Sequence, residues 1–345
     1  MGSQSAPSKK ITKKRRSRWL LFGLALALIA AGIALAVMSP SGENEASAAV
    51  ADVSSPVDGA RAYKYLKQLC DLGSRPAGSE ANTRQREIVS KHFAANGGKV
   101  RSQNFKGNDP KSGAEVAMVN LIGSWYPDRK ERVVIGAHYD TRPFPDEEKI
   151  EARRSLPFIG ANDGASGVAV LMEIAHHLDK SPTGWGVDLV IFDGEELVYG
   201  GGQNQNGEYF LGSKAFSQAY AEGVDSRRIS YRYVAGLVLD MVGDSNLTID
   251  QERNSVDLAP GLVRDVWGVA KKIKATSFRN RVGTAVLDDH LPMNDAGILT
   301  IDLIDFDYPH WHTSQDLPEK CSAASLEQVA KVVTSWLAQP RKRTR

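Results

Sequence analysis

Residues 187–196 read VDLVIFDGEE. A mostly apolar run ends at Phe192, and two adjacent acids, Glu195 and Glu196, follow within four residues. Such a run, short and rich in β-branched residues, reads as a buried strand. Strands buried on both faces belong to mainly parallel sheets, whose sites form at the strands' carboxyl ends. Val133–Ala137 (VVIGA) and Ala235–Leu239 (AGLVL) repeat the pattern, and His138 and Asp240 follow them directly. Adjacent residues at an extended strand end point in opposite directions. The two glutamates therefore face different partners, and beside buried apolar sequence each needs one.

The alternation continues outward. Met118–Gly123, Arg132–Ala137 and Ile298–Ile304 read as further strands. Ala62, Tyr65, Leu66 and Leu69 have helical spacing, and Ser79 or Asn82 caps a second helix that runs to about Asn96. Ser166–Leu178, Tyr209–Tyr220, Pro260–Ile273 and Leu326–Leu337 complete the helices. The pattern predicts an α/β fold: one layered domain over 58–340, with a central mixed, mainly parallel β-sheet flanked by helices. Two long polar loops, Thr141–Phe158 and Tyr199–Glu208, follow strand ends and are expected to shape a pocket.

Five residues at these ends have metal-ligand chemistry: His138 (GAHYD), Asp163 (GANDGASG), Glu196, Asp240 and His312 (PHWHT). Two imidazoles and three carboxylates suit zinc, which takes N and O ligands at about 2.0–2.2 Å. One acid of the Glu195-Glu196 pair then binds metal while its neighbour serves as acid or base. His92, His176 and His177 lack such a setting and read as packing or surface residues.

Charge is segregated. Residues 1–38 hold seven basic residues and no acid, and Arg341–Arg345 holds four more; the rest has 32 basic against 41 acidic residues. An acidic body argues against nucleic acid as a partner. Trp19–Met38 is a 20-residue run without charge, long enough for a bilayer core. With residues 1–18 as a basic cytoplasmic tail, it reads as a transmembrane signal anchor that leaves the body extracytoplasmic. The alternative is cleavage after Ala46-Ser47-Ala48 and secretion. Residues 39–57 read as a linker and 341–345 as a basic tail. Cys70 and Cys321 are either a disulfide or two buried thiols.

The order His138, Asp163, Glu195-Glu196, Asp240, His312 resembles the zinc-dependent aminopeptidase clan. Asp288-Asp289-His290-Leu291-Pro292-Met293, Trp311-His312-Thr313 and YLKQLCDLGSRPAGSE from Tyr65 are similar to blocks of its animal-type glutaminyl-peptide cyclotransferases. That resemblance covers about Gly59 to Leu337. It implies one catalytic zinc on Asp163, Glu196 and His312, with Glu195 as general acid/base and Asp240 and Asp288 hydrogen-bonded around it. Trp311, with Tyr308 or Phe306, is implied to pack the substrate's glutamine side chain. His138, with Asp240, matches the second-metal position of the peptidases, so two ions stay open. Asp302, implied at the substrate site, stands where the animal enzymes have histidine; Tyr199 and a glycine run replace an expected tryptophan. The implied activity converts N-terminal glutamine of peptides or proteins to pyroglutamate with release of ammonia. The alternative is hydrolysis of N-terminal residues by an aminopeptidase.

Overall fold

Every apolar run after residue 131 that was read as a strand lies in a single sheet. The computed structural model describes residues 57–180, 183–200 and 206–340, and Trp19–Met38, the linker up to residue 56 and the basic tail lie outside them. Among the described residues no helix is long and apolar enough to cross a membrane.

The strands are β1 (Lys99–Asn108), β2 (Glu115–Trp125), β3 (Glu131–His138), β4 (Gly186–Phe192), β5 (Val198–Tyr199), β6 (Asn206–Gly207), β7 (Arg232–Asp240), β8 (Ile249–Gln251), β9 (Phe278–Val282) and β10 (Thr300–Ile304). Six of them form the main sheet in the order β1-β2-β4-β3-β7-β10. β1, β2 and β4 pair antiparallel, while β4, β3, β7 and β10 run parallel. The sheet is therefore mixed, with its parallel half where the chemistry-bearing ends were expected. The register sets His138 opposite Phe192 and Asp240 opposite Ile304, so these ends share one edge.

The helices are α1 (Gly59–Cys70), α2 (Glu80–Ala95), α3 (Ala165–Leu178), α4 (Leu211–Asp225), α5 (Arg253–Leu258), α6 (Pro260–Lys272), α7 (His290–Asp295) and α8 (Ala323–Leu337). Ser79 caps α2, its side chain accepting from the N–H of Asn82. α3 is buried along almost its whole length, between the sheet and helices α1 and α8. Gly167 makes this approach possible: a Cβ there would lie 2.2 Å from the Leu239 carbonyl oxygen. That contact seats the α3 N-terminus, and Asp163 just before it, against the end of β7.

The far end of the sheet is fixed by charge. Arg132 donates through Nε and Nη2 to both oxygens of Asp188, at 3.0 and 2.6 Å, and Tyr233 Oη donates to the same carboxylate. This accounts for the lone acid inside the apolar run of β4. Cys70 and Cys321 are free, buried thiols, and burial pushes Cys70 up to about 12.

Candidate metal centre and catalytic pocket

His138 ends β3, Glu195 and Glu196 lie in the turn after β4, and Asp240 ends β7. Asp163 precedes α3, and His312 comes from the loop after β10 with φ of 52°. These segments converge on a single buried cluster. Asp163 is its hub. Its Oδ1 lies 3.2 Å from His138 Nε2, which is also 3.1 Å from Asp240 Oδ1. Its Oδ2 lies 3.5 Å from His312 Nε2, which is 2.8 Å from Glu196 Oε1. One oxygen of Asp163 thus faces each half of the cluster.

The donor set fits zinc. Asp163 Oδ2 is buried and has no hydrogen-bond partner among the described residues, although it points at an imidazole and a second carboxylate. An acceptor left bare in this way calls for a cation. Burial and the charge of Glu196 push Asp163 up to about 6. Against the effect of burial, Glu196 and Asp146 hold the His312 imidazole up at about 9. A zinc ion held there would replace those protons.

The outer shell was not legible in sequence. Asp140 accepts from the N–H groups of both Glu195 and Glu196, one on each oxygen at 3.0 Å. One buried carboxylate therefore clamps the backbone of the glutamate pair. Asp316 does the same for Asn162 and Asp163 at 2.8 and 3.0 Å, and Tyr308 Oη donates to it at 2.7 Å. Asp146 lies 3.3 Å from His312 Nδ1 and takes a forked pair of bonds from Arg142. The Arg142 backbone N–H donates to Glu196 Oε2. A carboxylate facing the other nitrogen of a metal-binding histidine is common in zinc sites, and Asp146 faces His312 Nδ1 here as a charge contact without a hydrogen bond. Asp140 and Asp316 stand two and four residues beyond ligand-type histidines, the only trace of them in sequence.

A cavity opens beside the cluster, lined by Asp163, Glu195, Glu196, Asp240, Asp288 and His312 on its polar side. Tyr209, Phe210, Leu287, Phe306 and Trp311 form the apolar wall. The Trp311 ring stacks on His312 at 3.9 Å between centroids, and the Phe306 ring lies tilted against Trp311 at 5.5 Å. Burial raises the Glu195 carboxyl well above its ordinary range, and the charges of Glu196, Asp289 and Asp288 add to this against the lowering effect of His138. Asp288 is raised to about 6 by burial and by Asp240. Asp240 bonds to His138, whereas the expectation placed it beside Glu195.

Two residues expected at the substrate are elsewhere. Tyr308 is buried behind the site, where its hydroxyl is committed to Asp316. Asp302 points from the middle of β10 into a closed space behind Asp288 and does not reach the cavity. Trp311 and Phe306 do line it.

A mixed sheet that gathers carboxylates and imidazoles at its parallel edge defines a zinc exopeptidase-like protein. The model of peptidase family M28 matches residues 120–337, and the chain belongs to that family. The glutaminyl cyclase of Fimbriiglobus ruber is 41% identical with a TM-score of 0.79, over 82% of this chain and 95% of that one. A leucine aminopeptidase precursor from Bacteroides thetaiotaomicron is 32% identical with a TM-score of 0.75, over 83% and 98%. The glutaminyl-peptide cyclotransferase of Bos taurus is 25% identical over 243 residues, which cover 64% of this chain and 65% of that protein. The chain thus spans about two thirds of the length of the curated relatives it matches.

Proposed function

We propose that this protein is a zinc-dependent glutaminyl-peptide cyclotransferase acting on peptides or proteins with N-terminal glutamine. The observation that carries the reading is Glu195: a buried carboxyl raised well above its ordinary range, on the wall of a cavity shared with Asp163, Glu196 and His312. A buried carboxyl shifted toward its protonated form is suited to take up and return a proton, which is what a general acid/base must do. The likeness to the Fimbriiglobus ruber glutaminyl cyclase supports the same reading.

Asp163, Glu196 and His312 hold one zinc in this account. When bound, zinc supplies a Lewis acid for the γ-amide oxygen of the substrate glutamine. Trp311 and Phe306 pack the methylene stem and exclude water. The neutral α-amine attacks the amide carbon, forming the ring C–N bond. Glu195 takes a proton from that nitrogen and returns it to the departing amide nitrogen as its C–N bond breaks. Ammonia leaves, and the peptide keeps every backbone bond.

One observation favours a second reading, an M28-type aminopeptidase. His138 Nδ1 lies 3.2 Å from the Asp140 carbonyl oxygen, which turns Nε2 toward Asp163 and Asp240. That is the orientation of a metal-ligand histidine. In that enzyme His138, Asp163 and Asp240 would help to hold a second ion, and Glu195 would take a proton from the attacking water. The test is to incubate metal-loaded protein with Gln-Ala-Ala-amide and read the products by mass spectrometry. Loss of one ammonia from an otherwise whole peptide supports the cyclase, and release of free glutamine supports the peptidase.

The anchor reading of Trp19–Met38 stands as a further part of the proposal, with the catalytic body outside the cytoplasm. Recovery of the full chain in the soluble cytoplasmic fraction overturns it.

A further inference from the structure

The long loop Thr141–Phe158, expected from its length to shape the pocket, places no residue in the lining of the catalytic cavity. Part of it is bonded instead to the segment that carries His312. The Glu147 N–H donates to the His312 carbonyl oxygen at 3.1 Å. Two residues on, Ser314 donates twice to Glu148 Oε2, through its hydroxyl at 2.6 Å and its N–H at 3.3 Å. Glu148 Oε1 accepts from the Ile150 N–H at 3.2 Å, so both oxygens of this buried carboxylate are committed. The Glu148 carbonyl oxygen accepts from Arg154 Nε at 2.8 Å, which ties it to the exposed half of the loop.

This hold acts on an unusual backbone. His312 has a φ of 52°, a left-handed conformation that a residue with a Cβ keeps only where its surroundings impose it. The ring itself is fixed mainly by packing. Trp311 stacks on it at 3.9 Å, and Phe158, at the end of the same loop, meets it edge-on at 6.1 Å. Its Nδ1 has no hydrogen bond among the described residues. The direction of Nε2, which faces Glu196 and Asp163 at 2.8 and 3.5 Å, therefore depends on where the backbone points the Cα–Cβ bond. A return to an ordinary φ would swing the imidazole away from both acids. The bonds on either side of Thr313, at the His312 carbonyl and at Ser314, oppose that turn. The short bond from the Ser314 hydroxyl to the carboxylate is the charge-assisted one and so the strongest of them.

We infer that Glu148 is a positioning residue: through Ser314, its carboxylate holds His312 in the left-handed conformation that aims Nε2 at the zinc site. The inference rests on the ligand role proposed for His312 above, but not on whether the reaction is cyclisation or hydrolysis.

The test uses the full-length protein. Zinc affinity is read by competition with a chelating dye. The visible spectrum of the cobalt(II)-loaded protein is a second readout, because it follows ligand geometry. Glu148→Ala is expected to lower zinc affinity by about tenfold or more and to move the cobalt spectrum. Ser314→Ala does the same to a smaller extent. The Glu148→Ala/Ser314→Ala pair binds no more weakly than Glu148→Ala alone, because the two residues act as one unit. Leu156→Ser, on the exposed half of the same loop, keeps the affinity and spectrum of the parent. Affinity within about twofold of the parent and an unmoved spectrum in Glu148→Ala, whatever its Tm, overturn the inference, since Glu148 then serves the loop alone. So do losses that multiply in the pair, and an equal loss in Leu156→Ser. If Glu148→Ala does not fold, unchanged affinity and spectrum in Ser314→Ala overturn the inference in its place. His312→Gln separates the two readings. Zinc bound there as tightly as by the parent refutes His312 as a ligand and the inference with it. Zinc lost there but kept in Glu148→Ala refutes the inference alone.

Discussion

Asp146→Asn tests how the metal centre is held. Asp146 stands 3.3 Å from His312 Nδ1 and takes bonds of 2.9 and 2.7 Å from Arg142 Nε and Nη2. Burial works against its charge, but His312 and Arg142 hold the carboxyl below its ordinary range. Asparagine keeps one acceptor and loses the charge. The buried Arg142 guanidinium, one of whose nitrogens already lacks a hydrogen bond, then turns to Glu196 Oε1, 3.7 Å away. Arg142 would then compete with zinc for a ligand oxygen while His312 loses the negative charge that faces its Nδ1. Loss of such an outer-shell partner typically costs 10–100-fold in metal affinity, or about 1.4–2.7 kcal/mol. Breaking a buried pair outright costs about 3–5 kcal/mol; with one acceptor kept, about 2 kcal/mol of stability is expected. The assay is zinc competition with a chelating dye, alongside thermal unfolding of the metal-free protein. Zinc affinity within twofold of the parent, with stability lowered as expected, would refute the argument, since Asp146 would then serve the loop and not the ligand.

Glu195→Gln is expected to keep zinc and lose about 10²–10⁴ in kcat; a variant as active as the parent removes Glu195 from the chemistry. A pH effect follows from the raised carboxyls, Asp163 and Asp288 at about 6 and Asp316 at about 7. The folded, metal-free protein holds more protons there than the unfolded chain, so its stability falls as pH rises from about 4 to about 7. His312, raised to about 9, adds stability that is lost as pH passes about 9. Zinc would replace the protons on Asp163 and His312 alone, so the Tm gain on adding zinc is expected to grow between about pH 5 and pH 8; an equal gain at both contradicts the assignment. Gly167→Ala should destabilise by about 1–3 kcal/mol despite the better helix propensity, because the new methyl meets the Leu239 carbonyl at 2.2 Å. Denaturant unfolding measures it, and a stabilised variant means that α3 moves off the sheet freely.

The strands that carry the site were legible because buried parallel strands are written as uninterrupted apolar runs. The edge strand β1 was not: KVRSQNFKGN has no such run, and its side chains are exposed or half-buried. Charged edge residues block further pairing and also erase the periodicity a reader looks for. That His138, Asp163, Glu196, Asp240 and His312 would converge was legible for the same reason as the strands. Asp146 and Asp316 were not, because their partners lie far along the chain and a loop aspartate has many ordinary uses. Tyr308 shows the limit of reading pocket residues from their nearness to a ligand: it is four residues from His312, yet the turn between them sends it to Asp316 behind the site.

The choice between one metal and two comes down to which species sits among His138, Asp163 and Asp240. Were one zinc held by Asp163, Glu196 and His312, Asp163 Oδ1 and Asp240 Oδ1 would still face the same imidazole nitrogen, at 3.2 and 3.1 Å. Two carboxylate oxygens so close need a positive charge between them. Against the effect of burial, hydrogen bonds to Asp163 and Asp240 hold His138 well above its ordinary range. A doubly protonated ring would fill the position without a second ion: Nδ1–H would donate to the Asp140 carbonyl, and Nε2–H would point between the two acids. In this sense a proton stands in for the second metal of a peptidase. A second zinc must displace that proton, so its binding strengthens as pH rises. The one-metal reading therefore requires a single zinc per chain at neutral pH, with any second ion taken up only in alkaline solution and never by His138→Gln.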